Sequence, residues 1–400
     1  MTSQADGAGD AKEHLSADHG RHRTASGTPH LLTVGVEEEY LLVDPMTRQV
    51  SPQAQKVVEQ ASSLGLGDRV SPELTCYQIE ARTEPHTAMR ELGEQIRSMR
   101  AAVARAAARQ GLRIISSGTP VLGQSVPTPI SPGIRYAKSV ATFQALDDEQ
   151  TVCACHIHVG VPDLARALQV SNHLRPWIPV LIALLGNSPY WTGQDTGYAS
   201  WRTMAMARWP VGGPPPYFES PAHFEELAGR IIETGAAIDI RGLYWDIRPS
   251  SHVPTLEIRV PDAAATADET LLASAIVRAM VATTLQAVVA GEASPRPRPE
   301  LLRAACWRAA RDGLSGVSVE LPTSRLIPVA SRVEQLLAWI QPALRHYGDL
   351  ELVRAGWSRL RSAGNGAHRQ RAAYRRRDSL ADVVDHLIVS TSPAPGPAPA

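Results

Sequence analysis

Polar and apolar positions alternate in several short stretches of the chain, and between them lie longer stretches with an apolar residue every three or four positions. Alternation with a period of two predicts half-buried strands, and a period near 3.6 predicts helices that bury one face. The resulting strands are 31–43, 76–82, 112–117, 152–161, 237–247 and 255–260, and the long helices are 88–110, 164–185 and 267–290. The stretch after 290 is predicted to be mostly helical up to about residue 389.

Residues that favour helix ends support the three long helices. Thr87 and Asp163 are placed to cap the first two, because Thr and Asp side chains accept hydrogen bonds from the free N–H groups of a first turn. Thr266 and Glu269 have the spacing of a capping box at the start of the third helix. Gly111 predicts the end of the first helix.

The order of these elements indicates an α+β fold. Strands with inserted helices come first and a helical C-terminal segment closes the chain, which favours a largely antiparallel β-sheet with flanking helices. Residues 1–29 are predicted to be a disordered leader and 392–400 a Pro/Ala-rich disordered tail. This leaves 30–391 as a single domain, in which the long loop 186–218 is predicted to be functional.

Five of the strands carry unusual side chains on their polar faces. Residues two apart in a strand share a face, so each strand presents its polar residues together, opposite its aliphatic residues. These polar residues are Glu37 and Glu39; Gln78, Glu80 and Arg82; His156 and His158; Asp246 and Arg248; and Glu257 and Arg259. Glu38 falls instead on the apolar face of its strand, where we predict that it pairs with an arginine of a packing helix.

The residue types on this shared face point to chemistry rather than to solvation. A solvated sheet face favours Lys, Thr, Ser and Gln, whereas crowded carboxylates repel one another unless cations lie between them. Mg²⁺ binds carboxylates together with substrate phosphates, and arginine binds phosphate or carboxylate through paired hydrogen bonds. The face therefore predicts a nucleotide-dependent ligase or kinase site, although the chain has neither G-x-x-x-x-G-K-S/T nor a strand-linked G-x-G-x-x-G.

A second interpretation rests on Cys153, Cys155, His156 and His158, because zinc favours thiolate and imidazole ligands. In a strand, however, the two cysteines lie on the face opposite the two histidines, so one ion cannot reach all four side chains. The cysteines are therefore predicted to pack in the interior. His156 is a candidate ligand, and His158 is either a ligand or a hydrogen-bonded neighbour of one. A metal-dependent hydrolase remains an alternative function.

The bulk properties restrict the partners and the compartment. The formal net charge is zero, with 40 basic and 40 acidic residues, so nothing favours nucleic acid or an anionic membrane as a partner. No apolar run approaches the roughly 20 residues that span a bilayer, and no signal-peptide pattern is seen. Four cysteines in 400 residues are not a disulfide framework, which favours a cytoplasmic location.

Five segments together resemble the glutamate–cysteine ligase family, in its type 2 or carboxylate–amine ligase branch. They are 34–40 (VGVEEEY), 73–80, 156–160 (HIHVG), 245–250 (WDIRPS) and 257–259 (EIR), in an order and spacing similar to that branch. The resemblance covers residues 33–360 and implies a glutamine-synthetase-like antiparallel sheet, ATP and Mg²⁺ as cofactors, and amide formation through an acyl phosphate. It also implies small-molecule substrates, such as L-glutamate and L-cysteine, and a homodimer.

The same resemblance implies a role for each matching residue. Arg202, Arg248 and Arg259 would bind ATP and substrate, and Arg248 and Arg259 would also be catalytic, with Arg259 stabilising the phosphoryl group in transfer. Trp201 and 208–210 (RWP) are further substrate-loop candidates. The residues implied as metal ligands are Glu37, Glu39, Glu73, Glu80, His156 and Glu257. Another phosphotransferase of the same fold is the alternative within this chemistry.

Overall fold

The computed structural model describes residues 31–392, so the predicted leader 1–29 and all but one residue of the predicted tail lie outside it. The strands are β1 (Val34–Val43), β2 (Val70–Pro72), β3 (Gln78–Arg82), β4 (Arg113–Ile115), β5 (Cys155–Gly160), β6 (Tyr190–Trp191), β7 (Gln194–Asp195), β8 (Ile247–Pro249), β9 (Thr255–Ile258), β10 (Val317–Glu320) and β11 (Arg325–Pro328). The helices are α1 (Ala54–Ser63), α2 (Met89–Arg109), α3 (Ile134–Phe143), α4 (Ala145–Glu149), α5 (Leu164–Leu174), α6 (Ile178–Leu185), α7 (Trp201–Met206), α8 (Pro221–Glu233), α9 (Ala267–Val289), α10 (Pro299–Asp312), α11 (Val329–Tyr347), α12 (Leu350–Ala363), α13 (Gly366–Tyr374) and α14 (Leu380–Thr391).

The main sheet contains seven of the strands between residues 31 and 392, and every pairing in it is antiparallel. Its order is β2-β3-β1-β5-β9-β8, and β4 pairs with the C-terminal end of β1. Two small hairpins, β6–β7 and β10–β11, lie outside this sheet. The predicted α+β class, with an antiparallel sheet, flanking helices and a helical C-terminal segment, is confirmed.

The apolar face of the main sheet packs against helices. Val36 of β1, Ile157 of β5 and Ile258 of β9 are each at most 1% exposed and share one core cluster with residues of α2, α5 and α9. Because successive side chains of a strand point to opposite faces, this packing leaves the ionisable residues of the same strands on the other face. The split of the strands into two chemically distinct faces is therefore as predicted.

Glu38 is the exception on the apolar face, and its predicted arginine partner is confirmed. Arg100 of α2 donates two hydrogen bonds to the Glu38 carboxylate, at 2.6 Å and 3.1 Å, and both side chains are almost fully buried. The hydroxyl groups of Tyr40 and Thr270 donate to the same carboxylate at 2.6 Å and 2.5 Å. The buried charge is thus fully hydrogen-bonded, and it joins β1 to α2 and α9.

α9 is the central helix of the core. Thr266 and Glu269 form the predicted capping box at its start. With 23 residues and a mean hydropathy of 1.6 in its most apolar part, α9 is long and apolar enough to cross a membrane, contrary to the expectation that no such run exists. It is packed within the protein against β5, α2, α5 and α11, and it carries Arg278, which pairs with Asp349 in the interior.

The structure confirms one predicted helix cap and contradicts another. The Asp163 carboxylate accepts a hydrogen bond from the N–H of Arg166 at 2.8 Å and caps α5. Thr87 does not cap α2, whose N-cap position is held by Ala88 without a side-chain hydrogen bond. The Thr87 carbonyl instead accepts a hydrogen bond from Arg278. This position therefore ties the start of α2 to α9.

The predicted helix 164–185 is divided into three parts. It forms α5, a 3₁₀ turn (Arg175–Trp177) and α6. Pro176 and Pro179 lack the N–H groups that a continuous helix needs, and this explains the division. The predicted loop 186–218 that follows contains β6, β7 and the short helix α7.

The predicted strand 237–247 was wrong over most of its length. The Asp239 carboxylate accepts a hydrogen bond from the N–H of Gly242 at 2.9 Å and starts a 3₁₀ turn, Ile240–Gly242. Such side-chain capping offers the backbone an alternative to sheet pairing, and Ile247, the first residue of β8, is the one residue of this stretch that lies in a strand. The hairpin β10–β11 was also missed, in a stretch predicted to be mostly helical.

Candidate active site

The strand register brings the predicted residues into neighbouring rows on the free face of the sheet. Side chains directly opposite one another in an antiparallel pair are close neighbours. The opposed pairs are Glu37–His156, Glu39–Glu80, His158–Glu257 and Glu257–Arg248. Residues that lie far apart in the sequence therefore meet along a line that crosses β3, β1, β5, β9 and β8.

A cavity of about 710 Å³ lies over these rows, a size that suits a small-molecule site. Glu73, which is not in a strand, reaches it from the turn that follows β2. All nine residues that the resemblance implied as metal ligands or as ATP-binding and catalytic arginines line the cavity: Glu37, Glu39, Glu73, Glu80, His156, Arg202, Arg248, Glu257 and Arg259. The sequence therefore predicted residues that the fold does bring together.

The two histidines of β5 lie among three of the carboxylates. His156 Nδ1 is 3.3 Å from Glu37 and 3.8 Å from Glu257, and His156 Nε2 is 3.8 Å from Glu39. His158 Nε2 is 3.5 Å from Glu37. Burial lowers the pKa of His156 to about 4, so its imidazole is neutral at pH 7 and keeps a lone pair for a cation.

His158 differs from His156 in its electrostatics but not in its access to the site. Burial alone would lower the pKa of His158, yet the neighbouring Glu37 carboxylate raises it above its usual value. One ligand atom each from Glu37, His158 and Glu257 lie within 4.8 Å of one another, a spacing that suits a single cation. The structure therefore makes His158 a candidate ligand beside the predicted His156.

Two arginines hold Glu257. Arg248 donates hydrogen bonds from Nε and Nη2 to one oxygen, at 3.1 Å and 2.8 Å, and Arg259 donates to the other oxygen. Burial would raise the pKa of Glu257, but the charges of Arg259 and Arg248 hold it well below its usual range. The pKa of Glu37 is also well below its usual range, because its histidine hydrogen bonds outweigh its burial. Both carboxylates are therefore charged at neutral pH.

For the remaining three glutamates, the nearby arginines and backbone hydrogen bonds do not offset the effect of burial. Burial, with the charge of Glu73, raises the pKa of Glu39 to about 8. Burial and the neighbouring glutamates raise the pKa of Glu80 well above its usual value, and burial also raises the pKa of Glu73. Buried like charges ionise together only when cations lie between them. This half of the cavity is therefore suited to accept positive charge.

Arg202, the arginine of α7, lies at the junction of the long loop and the sheet. Its guanidinium donates to the backbone carbonyls of Arg259, at 3.0 Å, and Val260, at 3.2 Å. Its side chain lies 3.9 Å from Asp262 and is 6% exposed. Of the other substrate-loop candidates, Trp209 lines the cavity, while Arg208 pairs with a glutamate of α4.

Sequence reasoning missed several cavity residues on α3 and near the turn that follows α8. Arg135 donates two hydrogen bonds to Asp239, at 2.9 Å and 3.2 Å, and the Tyr136 hydroxyl donates to Glu73 at 3.4 Å. Tyr244 also lines the cavity. The available signal was an arginine beside a tyrosine at the end of a Gly/Pro-rich loop, but a loop carries no periodicity that assigns its side chains to a face.

Two other predictions about this region have different outcomes. Asp246 was expected to share the polar face with Arg248, but it is not among the residues that line the cavity, and its segment is not a strand. Cys153 and Cys155 are at most 1% exposed, as predicted, and burial raises the pKa of both thiols. Neither cysteine lines the cavity, so the described geometry does not support a zinc site built from both residue types.

The donor set fits a divalent cation with bound phosphates. Five glutamates supply the oxygen ligands that Mg²⁺ prefers, and burial with the neighbouring carboxylates raises the pKa values of Glu39 and Glu80. Arg202, Arg248 and Arg259 lie in the same cavity and are suited to phosphate oxygens. The chemistry of the lining therefore matches a metal–nucleotide complex.

Comparison with solved structures gives the class of fold. The glutamate–cysteine ligase of Francisella tularensis, solved in complex with AMP, matches with a TM-score of 0.67 at 12% identity, over 92% of this chain and 90% of that one. A bifunctional glutathione synthetase from Pasteurella multocida also gives a TM-score of 0.67, at 14% identity, over 90% of this chain and 51% of that one. The protein thus has the fold of the glutamate–cysteine ligases.

Comparison of sequences then identifies the family. The model of glutamate–cysteine ligase family 2 matches residues 33–386. A Saccharopolyspora erythraea protein named “Putative glutamate--cysteine ligase 2-1” is 42% identical over 368 residues, which cover 90% of this chain and 95% of that one. A Mycobacterium sp. (strain KMS) protein named “Putative glutamate--cysteine ligase 2-2” is 43% identical over 362 residues, or 90% and 98% of the two chains. This chain belongs to glutamate–cysteine ligase family 2, which confirms the resemblance.

Proposed function

We propose that this protein is an ATP-dependent carboxylate–amine ligase that forms an amide bond through an acyl phosphate. The observation that supports this most is the meeting of five glutamates and six arginines around one cavity. A site that handles both a metal-bound polyphosphate and a carboxylate substrate needs anionic ligands and cationic clamps side by side. Membership of glutamate–cysteine ligase family 2 supports the same class.

We assign the cation ligands to residues of four neighbouring strands, β3, β1, β5 and β9, and one turn. They are Glu37, Glu39, Glu73, Glu80, His156 and Glu257, with His158 as an additional candidate. Mg²⁺ bound there would neutralise phosphate charge. The carboxylates then act as ligands rather than as general acids or bases, and the neutral imidazole of His156 is in the form that binds a cation.

We assign phosphate and carboxylate binding to the arginines. Arg259 lies between the metal-ligating glutamates and α7, where it would stabilise the phosphoryl group in transfer. Arg248 and Arg202 would bind ATP phosphates or the substrate carboxylate. Each guanidinium has five N–H donors in a planar fork, so it can hold its protein partner and an oxyanion at the same time.

The proposed reaction has two steps. A carboxylate oxygen of the acid substrate attacks the γ-phosphorus of ATP, the bond to the β–γ bridging oxygen breaks, and ADP leaves with that electron pair. The neutral nitrogen of the amine substrate then attacks the acyl carbon, the carbon–oxygen bond to phosphate breaks, and the nitrogen loses one proton to solvent. The arginines stabilise the charge that gathers on the phosphoryl oxygens in the first step and on the leaving phosphate in the second.

The finer assignments rest on the relatives. We propose L-glutamate as the acid and L-cysteine as the amine, because both relatives carry the name “Putative glutamate--cysteine ligase 2”. We further propose that 30–391 is a single catalytic domain that acts in the cytoplasm, which the four free cysteines support. The family resemblance supports a homodimer, which light scattering of the purified protein would test.

The experiment is ADP release by the purified protein with MgATP and L-glutamate, with and without L-cysteine, and then with a panel of other acids and amines. Release that requires both an acid and an amine is the expected result. Release with an acceptor but no amine would indicate another phosphotransferase of this fold. Hydrolysis of a substrate without ATP would indicate a metal-dependent hydrolase, and either result would overturn the proposal.

A further inference from the structure

Outside the cavity lining lies a buried carboxylate that none of the roles above uses. Asp262 is 2% exposed and lies four residues after the end of β9. One of its oxygens accepts hydrogen bonds from the N–H of Asn187 at 2.8 Å and the hydroxyl of Ser188 at 2.7 Å. The other oxygen accepts from the hydroxyl of Ser200 at 2.9 Å. A buried carboxylate is costly unless hydrogen bonds satisfy it, and three donors fix this one in place.

The two serines connect Asp262 to the first turn of α7. The Ser200 hydroxyl caps this helix and accepts a hydrogen bond from the N–H of Thr203 at 3.3 Å. The Ser188 hydroxyl accepts from the N–H of Arg202 at 3.1 Å. A serine hydroxyl has one proton to donate and two lone pairs. Because both protons point to Asp262, the lone pairs are left for the helix N–H groups.

Arg202 completes a closed ring of contacts. Its side chain reaches back from α7 to the backbone carbonyls of Arg259 and Val260, at 3.0 Å and 3.2 Å, and lies 3.9 Å from Asp262. The segment that carries Arg259 and the helix that carries Arg202 therefore hold each other, with the Asp262 carboxylate between them. Close packing leaves this carboxylate little freedom, since a methyl group on Gly118 would come within 2.8 Å of it.

We infer that Asp262 is a positioning residue for the proposed ligase reaction. Through Ser188 and Ser200 it orients the first turn of α7, and through that turn it orients the Arg202 guanidinium and the backbone of Arg259. This inference deepens the proposed function and rests on it, because Arg202 and Arg259 are there assigned to ATP and the phosphoryl group. Asp262 itself does not line the cavity, so its effect on the reaction must pass through these arginines.

A double-mutant cycle between Asp262 and Arg202 tests the inference. Asp262→Asn is expected to slow ADP release by about 10- to 100-fold, the loss that follows when a partner that orients an active-site group is removed. Arg202→Met is expected to be slower still. If Asp262 acts through Arg202, the double variant is about as slow as Arg202→Met alone, because the two losses do not add. Losses that multiply would overturn the inference.

The same cycle measured on MgATP affinity by calorimetry separates this inference from the proposed function. If the unmodified protein binds MgATP but releases no ADP with any acid and amine, the proposed reaction fails. Non-additive losses of MgATP affinity would still support Asp262 as a positioning residue. Independent losses, or no loss, would overturn it. A protein that neither turns over nor binds MgATP would overturn both.

A matched control and a milder variant keep the test decisive. Asp349→Asn is the control, because Asp349 is also a buried aspartate and pairs with Arg278 of α9. Unlike the ring around Asp262, this pair does not reach a residue that lines the cavity. This control is expected to lower the Tm and to leave the rate unchanged below it. Should Asp262→Asn fail to fold, Ser200→Ala removes one of the hydrogen bonds to Asp262, together with the side-chain cap of α7, and keeps the carboxylate, and the cycle is run with that variant. Equal rate losses in Asp349→Asn and in the tested variant would mean that Asp262 has only a structural role, and would overturn the inference.

Discussion

The five glutamates of the cavity have different electrostatic surroundings. Glu37 and Glu257 have cationic or hydrogen-bonding partners from the protein, and their pKa values lie below the usual range. Glu39 and Glu80 face other carboxylates, and their pKa values lie above it. A cation entering the cavity would therefore meet two kinds of ligand: charged carboxylates that already have protein partners, and carboxylates that must lose a proton.

Glu257→Gln is expected to abolish cation-dependent turnover, because it removes a charged ligand and leaves Arg248 and Arg259 without their shared partner. We expect a fall in ADP release of at least about 100-fold, comparable to the loss of one electrostatic group in other active sites. Binding of Mn²⁺ as a spectroscopic substitute for Mg²⁺, followed by electron paramagnetic resonance, should weaken in parallel.

Glu84→Gln is the matched control for that experiment. Glu84 is exposed, lies just beyond β3 and pairs with Arg69 at the surface. The turnover and Mn²⁺ affinity of the Glu84→Gln variant should equal those of the unmodified protein, because an exposed ion pair contributes little to stability. Normal cation-dependent turnover in Glu257→Gln would refute the ligand assignment.

Arg259→Lys is expected to slow ADP release by about 100- to 1,000-fold while weakening MgATP binding far less. A lysine keeps the positive charge but cannot form two parallel hydrogen bonds to an oxyanion. The measurements are single-turnover ADP release and calorimetric titration with MgATP. Arg97→Lys on α2, where the arginine forms a surface pair with Asp268, is the control and should change neither. A loss confined to MgATP affinity would contradict the role given to Arg259.

At the scale of single elements, the sequence predicted faces well and turns poorly. The alternation around Glu37, His156 and Glu257 requires only that each segment be a strand, and each segment is one. The pairing of these strands, and hence the 3.3 Å contact between Glu37 and His156, depends on register, which periodicity does not contain. The strand prediction for 237–247 failed because the side chain of Asp239 hydrogen-bonds to the backbone and so competes with sheet pairing. An alternating pattern does not reveal that competition.

The Glu38–Arg100 pair shows what one buried charge contributes to the packing of β1 against α2. Glu38→Gln is expected to lower the free energy of unfolding by about 3–5 kcal/mol, because it leaves the Arg100 guanidinium buried without its carboxylate. Urea denaturation at pH 7 measures this loss. Glu94→Gln on the exposed face of α2 is the control and should change stability by less than about 0.5 kcal/mol.

The same pair predicts a dependence of stability on pH. Burial would raise the pKa of Glu38, but the charge and hydrogen bonds of Arg100 lower it below its usual value of 4.5. The stability it contributes is therefore fully present above pH 4.5 and is lost as the pH falls through the lower folded-state pKa. The difference in stability between the unmodified protein and Glu38→Gln should narrow as the pH is lowered below 4.5. A constant difference would contradict the assignment.

At the scale of the whole molecule, α9 shows that sequence alone does not tell whether an apolar helix lies in a protein core or in a membrane. Helices that are apolar on all sides lie either in a protein core or in a membrane, and a sequence pattern does not separate the two. The structure surrounds α9 with the sheet and with other helices, and the buried pair of Arg278 with Asp349 lies within that packing. The core cluster that contains α9 also contains residues of β1, β5 and β9, so it supports the sheet face opposite the cavity.

The whole molecule should remain folded without divalent cations. Six arginines line the cavity together with its five glutamates, so the protein supplies its own positive charge to the site. Chelation with EDTA should shift the Tm by less than about 2 °C, the shift expected for under 1 kcal/mol in a large domain. Scanning calorimetry in EDTA and in Mg²⁺ provides the measurement. Unfolding on chelation would mean that the cations are structural.

The two arginines on Glu257 have a consequence for how the site fills. Both oxygens of this carboxylate already have cationic partners from the chain, one from Arg248 and one from Arg259. A metal ion at Glu257 would compete with these guanidinium groups for the lone pairs of the carboxylate, and a guanidinium that gave way would turn more of its N–H donors to an anion, such as a phosphate. Loading of the site would therefore be an ion-exchange process, in which cation and phosphate enter together and the arginine changes partners.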